Sequence, residues 1–297
     1  MTKIILNGHT YTIPARWSEV TDRRQFIAIC RALFDFESGQ TGLDEFRIAL
    51  AIAVLGLDLG RITPGDNLYE NLFRVGELVT FPYSIEEQPE GGQRLTVVIR
   101  LDNNILGPVC GVPGYRYRTD AAGIVDTDLT AGQYIEGLAL LGHYSAVTYG
   151  SKDPDAALEV LTSLTHTLYP LPSPHYTRLM TSFSREEKLA IMYNFRGITE
   201  AIAADPDYDL IFHRAHHRPD PSPVGLQGSV FSLSKAGLGS VETVRALDVH
   251  TYLSALVQQT IDSIHTLAGS GMKPGKIAEK LNLTVEQVAP FTDPIDA

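Results

Sequence analysis

Three histidines stand close together in the segment HRAHHRPDP, at positions 213, 216 and 217. Imidazoles three and four residues apart can converge from one helical turn on Zn²⁺ or Fe²⁺. Arg214 and Arg218 add positive charge that opposes a cation, and the prolines that follow are typical of an exposed loop. The pattern favours a polar joint, and a metal-dependent enzyme that uses His213, His216 and His217 is kept as an alternative.

Other residue patterns that could do chemistry are weaker. Gly237-x-Gly239 precedes a predicted helix, but it lacks the preceding strand and the Gly-Lys-Ser/Thr ending of a phosphate-binding loop. Glu86 and Glu87 are adjacent carboxylates in what we predict to be an exposed hairpin loop, where solvation is expected. The sequence contains no G-x-S-x-G motif. We therefore assign no catalytic residue and expect no cofactor.

The C-terminal segment, residues 271–290, has the pattern of a miniature helix-turn-helix. Lys273, Lys276 and Lys280 give it local positive charge, as in proteins that read DNA. The second predicted helix has little more than one turn before Pro290, which is short for a recognition helix. We favour a small helical cap or partner-docking tail, with DNA binding by residues 271–290 as a further alternative.

Bulk composition restricts the classes of function. The chain has 297 residues and a formal net charge of −11. This charge argues against nonspecific binding to nucleic acid and against docking on an anionic membrane surface.

Two cysteines are too few for a disulfide framework. The N-terminus has no signal-peptide pattern, and the longest apolar run is too short to span a bilayer. We expect a cytoplasmic protein, and the sequence leaves its oligomeric state open.

Turn and periodicity patterns predict the elements that carry these residues. Asn7-Gly8 between two short alternating runs predicts a β-hairpin. Residues 78–83 and 94–101 are rich in strand-forming residues and predict a second hairpin around the polar segment SIEEQPEGGQ. The other predicted elements are helices with capped starts, and Thr21 is predicted to cap the first of them, between the two hairpins. The predicted fold class is α+β and mainly α, with N-terminal hairpins and a helical C-terminal two-thirds.

Composition also suggests where the chain divides. The segment NNILGPVCGVPGYRYRTDAAG is dense in Gly and Pro, which is typical of an irregular connection. We predict an α+β domain over residues 1–105, a helical domain over 106–222, and a C-terminal helical region over 223–297 that ends in the short helix-turn-helix-like tail.

Two of the helices open alike. WSEVTDRRQFIAI and TDLTAGQYIEGLAL each have an acidic residue, Val or Leu, and Thr, followed by Gln, an aromatic residue and Ile. Thr130 and Gln133 form a T-x-x-Q capping box in the second. Two capped amphipathic helices are the simplest explanation of this repeat.

With its surroundings, the repeat resembles a known family. IILNGHTYTIPARWSEVTDRRQFIAI is similar to the opening of phage tail assembly chaperones, which are encoded beside the tape measure protein. ILGPVCG followed by TDLTAGQYIEGLALLGHY resembles a middle stretch of such tail proteins, although Val109 and Cys110 replace the usual Asp after Gly-Pro. GSVFSLSKAGLGSVETVRALDVHTYLSALVQQ resembles their C-terminal part.

This resemblance implies a protein that binds another protein and does no catalysis. The family coats the long, helical tape measure protein before the tail tube assembles around it. We therefore expect a chaperone-like phage tail assembly protein whose partner is the tape measure protein or another tail component. A groove between helical faces suits an amphipathic partner helix, and the acidic charge suits a basic one.

Overall fold

The computed structural model describes residues 2–6, 9–61, 67–87, 93–120, 124–170, 183–212 and 225–292. Helices dominate, and three two-stranded sheets lie in the N-terminal half. The predicted fold class, α+β and mainly α, is confirmed. The chain forms two units, unit 1 (Met1–Asp126 and Gly137–Glu200) and unit 2 (Thr127–Glu136 and Ala201–Ala297). The division into three domains stays a prediction.

The sheets are hairpin-sized. Strand β1 (Thr2–Leu6) pairs antiparallel with β2 (His9–Ile13), and the predicted turn residues Asn7 and Gly8 lie outside the described residues. Strand β3 (Tyr83–Glu87) pairs antiparallel with β4 (Gln93–Val97). A third pair, β5 (Tyr117–Thr119) and β6 (Val125–Thr127), has three-residue strands, too short for a recognisable alternation.

The second hairpin is present but shifted. Its first strand begins at Tyr83, so residues 84–87, predicted as loop, belong to the strand. At its base, the Val98 N–H donates to the Pro82 carbonyl at 3.0 Å. Proline has no N–H to return this bond. The Trp17 indole donates to the Val98 carbonyl instead, at 2.8 Å.

Among its described residues, unit 1 has six helices, two of which continue into unit 2: α1 (Arg23–Glu37), α2 (Leu43–Leu55), α3 (Leu68–Glu77), α4 (Ala131–Ser145), α5 (Pro154–Leu168) and α6 (Arg185–Ala203). Helix α1 is capped by Asp22, whose carboxylate accepts from the Gln25 N–H at 2.8 Å, and not by Thr21 as predicted. Asp22 directly precedes the first helical residue, which is the position from which a side chain reaches the free N–H groups.

The core of unit 1 forms where α1, α2 and α3 pack in sequence order. Phe26 and Leu33 of α1 and Phe46 and Leu50 of α2 are fully buried in this core. Phe36, near the end of α1, stacks on Phe46 with ring centroids 4.5 Å apart. This contact fixes the end of α1, which contributes to the groove described below.

The described part of unit 2 contains one long helix, α10, and several shorter ones: α7 (Asp209–Phe212), α8 (Gly225–Leu233), α9 (Val241–Ala246), α10 (Val249–Gly269), α11 (Pro274–Leu281) and α12 (Val285–Val288). Two helix caps pair with each other, since Thr130 before α4 and Asp248 before α10 form an antiparallel bridge. The Asp248 carboxylate caps α10 through the Thr251 N–H at 2.9 Å, as the sequence predicts a capped start.

The C-terminal tail packs into unit 2. Ile277, Leu283 and Val288 are buried together with Ile264 of α10. Thr284 and Gln287 form a capping box, and the Gln287 amide donates to the Asp209 carboxylate at 2.6 Å. These contacts make the tail part of a hydrophobic core.

Among the helices that the structure describes, none is long and apolar enough to cross a membrane.

Candidate binding groove

An open groove of about 700 Å³ lies within unit 1. Four elements and one turn surround it: the end of α1, strand β4, the end of α4, the turn after α4, and the middle of α6. Its apolar and aromatic lining consists of Phe36, Leu95, Val97, Leu141, Tyr144, Tyr149 and Met192. We call this site the unit 1 groove. Its volume lies within the range of about 300–1,000 Å³ that is usual for ligand pockets.

A charged cluster forms one side of the groove. Glu37 accepts two hydrogen bonds, from the Tyr193 hydroxyl at 2.5 Å and from Arg196 Nη1 at 2.9 Å. Arg196 also donates from Nε to Glu200 at 3.0 Å and from Nη2 to the Val97 carbonyl at 3.3 Å. One arginine therefore ties helix α1, helix α6 and strand β4 together.

The pKa values of Tyr193 and Arg196 are both raised. Burial raises the pKa of Tyr193 well above its usual value, and the adjacent Glu37 charge raises it further. Burial by itself would lower the pKa of Arg196, but the charges and hydrogen bonds of Glu37 and Glu200 raise it above its usual value. Tyr193 stays neutral and Arg196 stays charged around neutral pH. The cluster is therefore an architectural ion pair, with the carboxylate held by two donors.

The turn after α4 is a π-helical segment, Ala146–Ser151. Such segments widen a helix by one residue and are frequent at functional sites. Val147 points into the protein, whereas Tyr149 faces the groove and is 43% exposed. Lys152 follows with a left-handed φ of 55°, and Asp153 then caps α5. The segment thus carries an aromatic ring that lines the groove.

The predicted metal ligands His213, His216 and His217 lie outside the described residues. Within the described part of the chain, no group of three or more His, Cys, Asp or Glu side chains is placed to hold a metal ion. Glu86 and Glu87 lie in the exposed strand β3. The metal site at the three histidines stays a prediction.

Gly237 and Gly239 lie in and just after a second π-helical segment, Ser234–Leu238. The helix that follows them, α9, has six residues, and the Ser240 hydroxyl already accepts from its Thr243 N–H at 3.2 Å. This arrangement is a helix cap.

The groove was not among the sites predicted from the sequence. Glu37 on α1 is more than 150 residues away in the sequence from Tyr193 and Arg196, which both lie on α6. One signal was available at the sequence level, since Tyr193 and Arg196 lie three residues apart and so share one face of a predicted helix. Their partner Glu37 has no such signal.

Comparisons of the chain with protein families, curated proteins and solved structures return no match.

Proposed function

We propose that this chain is a non-enzymatic, chaperone-like phage tail assembly protein that binds the tape measure protein or another tail component. The resemblance of its three segments to phage tail assembly chaperones motivates the identity of the partner. The unit 1 groove supports a binding function, and it is the observation that carries the proposal.

The groove has the properties of a protein-binding surface. It combines apolar and aromatic side chains with charged residues at its side, and its Tyr149 ring is accessible. Tyrosines of this kind frequently dominate the energy of protein interfaces. Glu37 and Arg196 are already engaged with each other, so they frame the groove without offering a free acid or base for catalysis. Binding a partner is what this arrangement can do.

The geometry gives no comparable support to the DNA-binding alternative. Helix α12 spans four residues, and its Val288 side chain is buried against α10 and α11. A recognition helix has to offer several exposed side chains to the bases of the major groove. The metal-enzyme alternative rests on His213, His216 and His217. Stoichiometric zinc or iron that is lost on His216→Ala would favour it.

Co-expression with the long helical protein encoded beside this gene tests the proposal. We expect that the two proteins co-purify and that the partner becomes soluble, because bound chaperone covers its apolar stripes. Repeating the pull-down at a low and a high salt concentration reports how much of the contact depends on charge. A partner that stays insoluble, with nothing co-purified at either salt concentration, would overturn the proposal.

A further inference from the structure

Strand β4 lies at the edge of its sheet. In the described part of the chain, β4 pairs with β3 on one side and with no strand on the other. An edge strand carries a row of backbone N–H and C=O groups that can pair with another extended chain. Which residues of β4 carry these outward groups depends on the phase of the ladder.

The phase of the ladder follows from two hydrogen bonds. Val98 donates to the carbonyl of its partner Pro82 at 3.0 Å, so this pair is of the hydrogen-bonded type. Pair types alternate along an antiparallel ladder. The pair Ile85 and Leu95 is therefore of the other type, and both residues turn their N–H and C=O groups away from the hairpin. The Val97 carbonyl, two residues on, accepts from Arg196, as an outward carbonyl should.

The free edge of β4 faces the unit 1 groove. Arg94 and Thr96 lie on one face of the hairpin, and Leu95 and Val97 lie on the other, yet all four line the groove. A strand contributes residues of both faces to one groove when it presents its edge. The backbone groups of Leu95 therefore point into the groove, where no described residue hydrogen-bonds to them.

We propose that the unit 1 groove binds an extended segment of a partner protein, which adds a strand to the free edge of β4. This proposal deepens and rests on the binding function proposed above, because it names the chemistry of the bound segment. A partner helix satisfies its own backbone groups internally and would leave the Leu95 N–H and C=O unpaired. An extended segment supplies a C=O that accepts from the Leu95 N–H and an N–H that donates to the Leu95 C=O, as in β-augmentation.

The side chains around the groove specify the segment further. Phe36, Tyr149 and Met192 belong to the apolar lining of the groove, which suits a large apolar or aromatic side chain. Two arginines and one glutamate line the groove, although the whole chain carries a net charge of −11. Glu37 pairs with Arg196. Arg94 is exposed, forms no ion pair among the described residues and lies opposite Glu86 in the ladder, so it is the cation of the lining that can attract an anion. We therefore assign the groove to an extended apolar segment that carries a carboxylate.

A pair of proline variants tests this assignment. Leu95→Pro removes the outward N–H on the groove edge, and Ile85→Pro removes the equivalent N–H on the opposite edge of the same hairpin. Neither N–H takes part in the ladder, so both variants keep its hydrogen bonds. The probe is a displayed library of random peptides of about ten residues, selected on the full-length protein. The best peptide is then synthesised for titration.

We expect enriched peptides with alternating apolar residues and an acidic residue. Leu95→Pro should weaken their binding about ten-fold or more, and Ile85→Pro should change it less than about two-fold. Equal binding by both variants, or no enrichment, would overturn the strand assignment. If Leu95→Pro does not fold, hydrogen exchange of the Leu95 amide in the parent protein decides, since strand addition protects this amide and a bound helix does not.

The two proposals fail in different ways. If peptide binding depends on the β4 edge but the tape measure protein does not co-purify, the strand assignment stands and the tape measure protein is not the partner. If the tape measure protein binds Leu95→Pro as well as it binds the parent protein, it is the partner and the strand assignment is wrong.

Discussion

Several tyrosines are buried in places where they cannot ionise readily. Burial raises the pKa of Tyr144 to about 12 and that of Tyr169 to about 12. An unfolded tyrosine ionises near its usual value of 10.0. Below pH 10 both states are protonated, and the folded protein keeps its full stability. Above pH 10 the unfolded chain releases protons that the folded chain retains, so unfolding becomes more favourable.

We expect the free energy of unfolding to fall between pH 10 and pH 12, by about 1.4 kcal/mol per pH unit for each such tyrosine. Urea unfolding at stepped pH values measures this slope. Tyr169→Phe should make the slope shallower, because one raised pKa is removed. Tyr69→Phe, at a tyrosine that is 61% exposed, should leave the slope unchanged. A flat profile over this range would contradict the account.

At the level of single residues, the sequence predicted core positions better than functional ones. Phe26 and Leu33 lie seven residues apart on α1, Phe46 and Leu50 lie four apart on α2, and all four are buried. The cluster of Glu37 and Arg196 depends on the tertiary contact of α1 with α6, which local periodicity does not encode. The three histidines, which had the clearest local pattern, lie outside the described residues.

Helices α4 and α6 approach each other closely in unit 1, because α4 has a glycine at the contact. A Cβ atom added at Gly137 would lie 2.5 Å from the Phe195 ring, whereas one added at Gly142, further along the same helix, meets nothing within 4 Å. Phe195 is fully buried and has little room to shift. This contact sets the separation of two walls of the unit 1 groove.

We predict opposite effects for the same substitution at these two positions. Gly137→Ala should lower the free energy of unfolding by about 1–3 kcal/mol, since it overpacks the contact. Gly142→Ala should raise it by about 0.5–1 kcal/mol, because alanine stabilises a helix relative to glycine. Denaturant unfolding of both variants compares them directly. Equal effects would show that the helices do not pack through Gly137.

The two similar helix openings share one physical design. Asp22 before α1 and Thr130 before α4 each accept from the N–H of a glutamine three residues later. The aromatic residue that follows, Phe26 or Tyr134, is buried in both. The sequence therefore predicted both helices, with the correct cap at Thr130 and a cap one residue too early, at Thr21, for α1. The first strand of the second hairpin was predicted too early in the chain. The segment SIEE is polar and exposed, so it lacks the alternation of a half-buried strand.

For the whole molecule, the local charge of the groove differs from that of the chain. The net charge of −11 favours a basic partner at long range, whereas the groove has two arginines and one glutamate. Composition predicts the net charge of the chain but not the charge of the groove, because the charge of the groove depends on which residues the fold brings together. A partner that suits both would be basic overall and would carry an acidic residue in the bound segment.

The affinity of the proposed partner, the tape measure protein, for two tyrosine variants tests the central claim most directly. Tyr149 lies in the unit 1 groove, and Tyr69 lies on α3 as an exposed tyrosine that does not line it. If the groove is the binding site, Tyr149→Ala should weaken binding about ten-fold or more, as expected for an aromatic residue that dominates an interface, and Tyr69→Ala should leave binding within about two-fold of the parent. Thermal unfolding of both variants controls for folding. Equal affinities for the parent protein and a folded Tyr149→Ala variant would contradict the account.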